Sequence, residues 1–319
     1  MSAKLRRQRG VAIITALLLT TLSVTIVASL FWMQQVQVRS MENQRLHLQT
    51  KWILRGALDY ARLILRQDGI DNQAYTSLAA VWNTPLAETR LDQYIERERV
   101  EGEVFNASLS GRILDAQARF NLTNLAEGQV ISQNDVKIYD RLLRNLGLDP
   151  ALAKRTADAV KASGIPGATP VGQSPPPAPS SIPWRLTQLD DLLAIPGYNI
   201  ESVAKLREFA IVLPEKTKVN VNTAPAEVLA AIIDGYSVSD GNALVARRKT
   251  AYFRNVSDFT GQIFGQGTPI PDSFQITSEH FLVVSKVRLD RAALDAEALV
   301  KRSLQPPLFK TETVWVRQN

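Results

Sequence analysis

The sequence predicts an α+β fold, with a long amino-terminal helix packed on a small antiparallel sheet and a large helical domain inserted between the strands. Three patterns carry this prediction. From Gly10 to Val38 no residue is charged, and this apolar run passes directly into a helical repeat that reaches Gln67. Apolar and polar residues alternate from Phe105 to Ile113 and again from Phe281 to Leu289, and a stretch rich in Thr, Val and Trp closes the chain from Phe309 to Gln318. Between these strand-like ends, helical spacing dominates from Asn124 to Ser278.

The helix comes first. Val11 to Phe31 is almost wholly apolar or small, which is enough to cross a bilayer. Lys4, Arg6, Arg7 and Arg9 precede it and no positive charge follows until Arg39. That asymmetry places the amino end in the cytoplasm, the span in the inner membrane and the bulk of the protein in the periplasm. A secretory signal peptide cut after Ala28 is the alternative, but such peptides have a shorter apolar region ending at a small-residue site. Beyond Arg39, the residues Ile53, Leu54, Ala57, Leu58, Ala61 and Leu65 recur at three- and four-residue spacing, as one buried helix face requires. Asp68-Gly69 reads as the stop. In the span, Ala12, Ala16, Ser23 and Ala28 are small enough to admit a neighbouring helix.

Ile70 to Glu103, with Trp82, Pro85 and the charged run Glu96 to Glu101, reads as loop and short helix. The alternation at Phe105, Ala107, Leu109, Gly111 and Ile113 has the period of a half-buried strand. In the helical region Val136, Leu142, Leu143 and Leu146 share a face, and Gly147 ends their helix. Seven prolines from Pro166 to Pro183 mark an extended linker. The resulting division is 1–10 as a leader, 11–67 as the membrane and amphipathic helix, and 68–123 as the first part of the sheet domain. Residues 124–278 form the insert, with its linker at 164–183, and 279–319 complete the sheet.

Composition narrows the function classes. At 319 residues with 45% hydrophobic content, the chain can bury a sizeable core in two or three modules. The formal charge is +6 and the sequence pI about 9.5, but four positive charges belong to the leader. There is no cysteine and only two histidines, His47 and His280, which removes disulfide frameworks, thiolate nucleophiles, cysteine-bound zinc and histidine-based triads. No nucleophile, base and orienting group recur at a recognisable spacing, so no catalytic residue is assigned and no enzyme is predicted. Asp190-Asp191 ahead of an apolar helix reads as an N-terminal cap. Asp234, Ser239 and Asp240 supply too few oxygens for calcium, and no metal site or other cofactor is assigned.

Arg9-Gly10-Val11-Ala12-Ile13-Ile14-Thr15 resembles the leader and mature start of type IV pilins and pseudopilins. Asp115-Ala-Gln-Ala-Arg119-Phe120-Asn121-Leu122-Thr123-Asn124-Leu125 is similar to the D-x-x-G-R-F-N-L-N-x-L passage of K-type minor pseudopilins of type II secretion systems, with Ala118 and Thr123 as departures. Val219-Asn220-Val221-Asn222-Thr223-Ala224 resembles their N-V-N-T-A segment. The resemblance implies cutting by the prepilin peptidase between Gly10 and Val11. It also implies a place at the tip of a periplasmic pseudopilus that exports folded proteins across the outer membrane, assembly with minor pseudopilins I and J, and a role in starting the filament. Most members carry Glu at the fifth mature position, where this chain has Thr15; the K type is the one that lacks it. Some K pseudopilins bind calcium through a D-W-x-D-like passage, which Asp158-Ala-Val begins to match before Ala162 and Ser163 break it.

A membrane-tethered DNA receptor is the competing reading. Leu192-Leu193-Ala194-Ile195-Pro196-Gly197-Tyr198 looks like a helix-hairpin-helix unit, and Asn220 to Phe259 resembles the DNA-binding half of competence proteins. DNA-binding hairpins hold phosphate on backbone N–H groups freed by a G-x-G pair. Here Asn199 and Ser237 replace the second glycine, which disfavours nucleic acid as a partner. Arg247, Arg248 and Lys249 are read as a solvated helix face.

Overall fold

The computed structural model describes residues 9–91, 106–163, 185–263, 265, 267–304 and 309–318. The proline-rich segment 164–183, the run Glu96 to Glu101, Phe105 and all but the last two residues of the leader lie outside them. Helix α1 (Arg9–Asp71) is one unbroken helix of 63 residues, about 95 Å long at 1.5 Å per residue. Residues 11–45 are all exposed, and packing begins only near Thr50. From there Thr50, Leu54, Leu58, Ala61, Leu65 and Asp68 turn one stripe inward.

Asp68-Gly69 does not stop the helix, which continues to Asp71. Gly69 is instead a place of close approach: a Cβ there would stand 3.1 Å from Cδ of Arg302. Asp68 is held by that arginine, with Arg302 Nη1 2.5 Å from Asp68 Oδ2. A cation donated from a strand more than 200 residues away overrides a local stop signal.

The sheet has five antiparallel strands, β1 (Leu86–Arg90), β2 (Ala107–Asp115), β3 (His280–Leu289), β4 (Ala292–Arg302) and β5 (Thr311–Gln318), in the order β1-β2-β3-β4-β5. β2 thus lies next to a strand that starts 165 positions after β2 ends, with Leu109 opposite Val287 and Ile113 opposite Val283. Strand β1 falls in the stretch read as loop and short helix. Its residues are mostly exposed and show no alternation; backbone pairing to β2, such as Leu86 with Gly111, holds it. The hairpin β3–β4 turns on Asp290-Arg291, with Leu289 opposite Ala292 and Asp290 at φ 50°, a conformation that Asp tolerates better than most residues.

One sheet face packs on α1 through Ile113, Phe281, Val283, Val287, Ala296, Ala298 and Val300, with Trp82 closing the end. The opposite face meets the region between the strands through Leu282, Leu299, Ile211 and Leu213. That region carries α2 (Gln133–Asn145), α3 (Ala151–Ala162), α4 (Ile200–Leu206), α5 (Ala226–Ile232), α6 (Val238–Thr250) and α7 (Val256–Thr260). It has its own core, in which Phe120 stacks on Tyr139 at 5.6 Å, and Leu142, Leu143, Leu192, Leu206, Leu229 and Phe259 are fully buried. α2 presents the predicted apolar face and is followed by Gly147 at φ +67°. Asp191 caps a 3₁₀ turn, Leu189–Ala194, its Oδ2 accepting from Thr187 N at 2.7 Å and Gln188 N at 3.0 Å.

Candidate functional site

Hydroxyls in the exposed part of α1 bond back to their own helix. The hydroxyl of Thr15 lies 3.0 Å from the carbonyls of both Val11 and Ala12, and those of Thr20, Ser23 and Thr25 likewise donate to carbonyls one turn back. The hydroxyls of Thr15, Thr20, Thr21, Ser23 and Thr25 are thus satisfied within the helix, which is what a hydrocarbon environment demands. The window there has a mean hydropathy of 2.4, and none of the described residues covers it. Gly10 and Val11 both lie in helical backbone just after the first residue of α1. Ala12, Ala16 and Ser23 share one face, since their spacings of four and seven are near whole turns; Ala28 lies about 140° round the helix from them.

The second half of α1 carries large apolar residues on two opposite sides. One is the stripe already packed on the sheet. The other is Met41, Leu48, Trp52, Leu63 and Ile70, all exposed, with Trp52 at 67%. At 3.6 residues per turn their centre lies about 180° from the packed stripe, and on an ideal helix it continues the face of Ala12, Ala16 and Ser23. Gly56 sits beside it, with nothing within 4 Å of where a Cβ would be. Arg45, Asp59 and Arg66, all exposed, fall on the same face, so its apolar residues are interspersed with charge.

Where α1, the sheet and the helical region meet, the chain buries a polar joint. Asp115 Oδ2 accepts from Thr223 Oγ1 at 2.6 Å, Ser278 Oγ at 2.6 Å and Asn220 Nδ2 at 3.0 Å, while Oδ1 accepts from Gln117 N at 2.8 Å. Burial raises the Asp115 pKa, and the bonds from Ser278, Thr223, Gln117 and Asn220 oppose that rise. Next to it the Arg302 guanidinium, fully buried, donates to Asp68, to Leu65 O at 3.2 Å, to Thr76 Oγ1 at 3.0 Å and to Ser278 O at 3.0 Å. Gln117 Oε1 accepts from the backbone N–H groups of Glu279 and His280. Both sequence passages singled out above therefore hold the joint together: Asn121 accepts from Leu213 N, Asn124 from Thr217 N, and Asn222 from Phe253 N. Arg302, Thr76 and Ser278 carry no sequence signal, because no local pattern shows that their elements converge. The His280 ring is fully buried 3.3 Å from Glu215 Oε1. Its pKa falls to about 4 through burial; Glu215 opposes the fall and Lys301 adds to it.

Two family models, both described as type II secretion system protein K, match residues 118–215 and 219–277. The type II secretion system protein K of Pseudomonas aeruginosa is 28% identical over 302 residues, covering 89% of this chain and 86% of that protein. The one from Klebsiella pneumoniae is 24% identical and 93% of each chain is covered. This chain belongs to the type II secretion system protein K family. Its fold matches a chain in the crystal structure of the GspK-GspI-GspJ complex from enterotoxigenic Escherichia coli, with a TM-score of 0.59 at 16% identity, over 88% of this chain and 99% of that one. As a member of the protein K family it is a structural pseudopilin and not an enzyme.

The hairpins of this chain are built as packing units. Gly197, at φ +105°, lies against α3 so closely that a Cβ would be 2.5 Å from Arg155 Nη1 and 2.8 Å from Leu152 Cδ2. Asn199 and Ser237 are N-caps: Asn199 Oδ1 accepts from Ser202 N at 2.8 Å, and Ser237 N donates to Asp240 Oδ2 at 2.9 Å. Those bonds occupy N–H groups that would face a phosphate, and Asp240 sets a carboxylate at the second site. Arg248 corrects the solvated-face reading of 247–249. It is 5% exposed and donates to Val221 O at 2.8 Å and Ala224 O at 2.5 Å, with burial lowering its pKa to about 10. Arg247 donates to Gln262. Asp234, the first of the acids weighed for calcium, lies 3.4 Å from Arg141, and among the described residues no three His, Asp or Glu cluster as a metal site would need.

Proposed function

We propose that this chain is a minor pseudopilin that joins pseudopilins of the I and J kinds at the tip of a type II secretion pseudopilus and helps start its assembly. The apolar start of α1 anchors it in the inner membrane, with the remainder in the periplasm, after the prepilin peptidase cuts between Gly10 and Val11. The observation that carries the reading is the outward face of α1 from Met41 to Ile70, opposite the packed stripe, where Met41, Leu48, Trp52, Leu63 and Ile70 are left exposed among charged residues. The packed stripe holds the chain's own sheet, and the outward face fits a parallel helix of another membrane-anchored subunit, with Ala12, Ala16 and Ser23 extending the contact into the bilayer. The similar Escherichia coli chain was crystallised in a complex with GspI and GspJ.

Two features favour the tip. Thr15 satisfies its own hydroxyl, so it offers no carboxylate to the terminal ammonium of a subunit ahead and loses nothing when none is there. The region 124–278 works as an insert with its own core, and a compact body of that size has a radius of gyration of about 15 Å, bulk that a repeating shaft position would not accommodate. Full-length chain made together with pseudopilins I and J should copurify with them as a discrete complex. Trp52→Ser with Leu63→Ser should abolish that complex without lowering the melting temperature. Cross-linking that places this chain at regular intervals along the filament shaft overturns the tip assignment.

A further inference from the structure

Between α2 and α3 the helical region carries an open groove of about 590 Å³. Lys137, Asp140, Arg141 and Arg144 line it from α2, Lys154 from α3, and Asp234 from just beyond α5. Four cations thus meet two carboxylates, and they are unevenly served. Arg144 holds Asp140 at 2.9 Å. Arg141 is different: only 20% of its side chain is exposed, yet among the described residues it makes no hydrogen bond, and its Nη1 is buried with no acceptor. Its ionic neighbour, Asp234 Oδ1 at 3.4 Å, is 75% exposed, so the pair is weak. Lys137 and Lys154, both exposed, have no acidic partner among the described residues. A guanidinium offers five N–H donors, and a buried donor left unpaired is costly. The groove therefore holds more positive charge than the fold itself uses.

We propose that this groove docks an acidic segment of a protein partner, with Arg141 as the anchor for one carboxylate and Lys137 and Lys154 as contacts for its neighbours. Charge complementarity sets the class of ligand. A carboxylate accepts two parallel N–H bonds from an arginine fork, and the mostly buried Arg141 has its donors free to make them. Two features favour a protein segment over a phosphate polymer. Asp140 and Asp234 stand in the lining and repel closely spaced phosphates, whereas a protein segment can place single carboxylates between them. Val136, Pro150 and Ala153 also line the groove and meet the apolar atoms that such a segment carries between its charges. The groove is open, which admits a stretch of chain and does not enclose a free ion. None of its lining residues belongs to α1 or to the five-stranded sheet. It therefore stays available when the outward face of α1 is covered, and the inference does not depend on the assembly reading.

The test uses the full-length chain in detergent at low ionic strength, titrated with fluorescein-labelled hexaglutamate and followed by anisotropy. The chain should bind this peptide at least tenfold more tightly than labelled hexaglutamine. Arg141→Gln should weaken binding at least tenfold and leave the melting temperature unchanged or raised, because Arg141 gives the fold no hydrogen bond. Lys137→Gln with Lys154→Gln should weaken it at least fivefold. Lys205→Gln with Lys249→Gln removes the same charge from exposed positions elsewhere and should change binding less than twofold. Should Arg141→Gln lower the melting temperature, the two lysine pairs, which alter only exposed side chains, decide the question. Absence of hexaglutamate binding overturns the proposal, as does equal weakening by the two lysine pairs. A labelled single-stranded DNA hexamer that binds more tightly than hexaglutamate, and is weakened by the Lys137 and Lys154 pair, makes the groove a phosphate site and overturns the carboxylate reading.

Discussion

Removing one member of the buried Arg302–Asp68 pair should be among the most damaging single changes in the chain. Arg302 is wholly buried and the Asp68 side chain is 4% exposed. Asp68→Ala leaves the guanidinium with three neutral acceptors, Leu65 O, Thr76 Oγ1 and Ser278 O, and no countercharge. Arg302→Met leaves the Asp68 carboxylate with Asn72 Nδ2 at 2.9 Å as its remaining side-chain donor. An uncompensated buried charge costs roughly 3–5 kcal/mol, so each single variant should lose about that much. The double variant Asp68→Ala, Arg302→Met removes both charges and should lose clearly less than the sum, because a well-packed apolar replacement for a buried pair is often near neutral. Urea unfolding of the detergent-solubilised chain, followed by far-ultraviolet circular dichroism, measures all three. The reasoning fails if either single variant loses less than about 1 kcal/mol or if the two losses simply add.

Arg248→Ala should destabilise the helical region by about 2–4 kcal/mol, since it strips charged donors from the Val221 and Ala224 carbonyls. Lys249→Ala should stay within about 0.5 kcal/mol, and thermal melts of the two variants compare them. Any loss of binding in a triple variant of 247–249 would therefore report unfolding before it reported DNA contacts. His280 has a folded pKa of about 4, below its unfolded value near 6.5, so the unfolded chain binds the extra proton between those limits. Its contribution is complete above pH 6.5 and is lost as pH falls toward 4, by roughly 3 kcal/mol; urea midpoints against pH should show this slope, and His280→Gln should flatten it. Gly10→Glu should leave the leader uncut, and mass spectrometry of the membrane-extracted chain should find the unmodified protein starting at Val11.

The sequence by itself determined the parts of the fold that repeat locally. An uncharged run longer than a bilayer is thick can only be a helix there, because every backbone group must pair internally. Three- and four-residue spacing then located the buried stripe at Leu54, Leu58, Ala61 and Leu65, and two-residue spacing located β2 and β3. Strand β1 escaped notice because an edge strand with exposed side chains carries no alternation, and its stability comes from ladder bonds to β2. Strand β4 escaped notice because Ala, Leu and Glu favour helices on their own, and only pairing with β3 and β5 on both sides makes that segment extended. Tertiary structure alone decided the continuation of α1 past Gly69, the burial of Arg248, and the joint formed by Asp115, Asn220, Ser278 and Arg302. Each depends on groups far apart in the chain meeting where water is excluded. There an unpaired charge or donor costs several kcal/mol, enough to outweigh the sub-kilocalorie preferences that local sequence expresses.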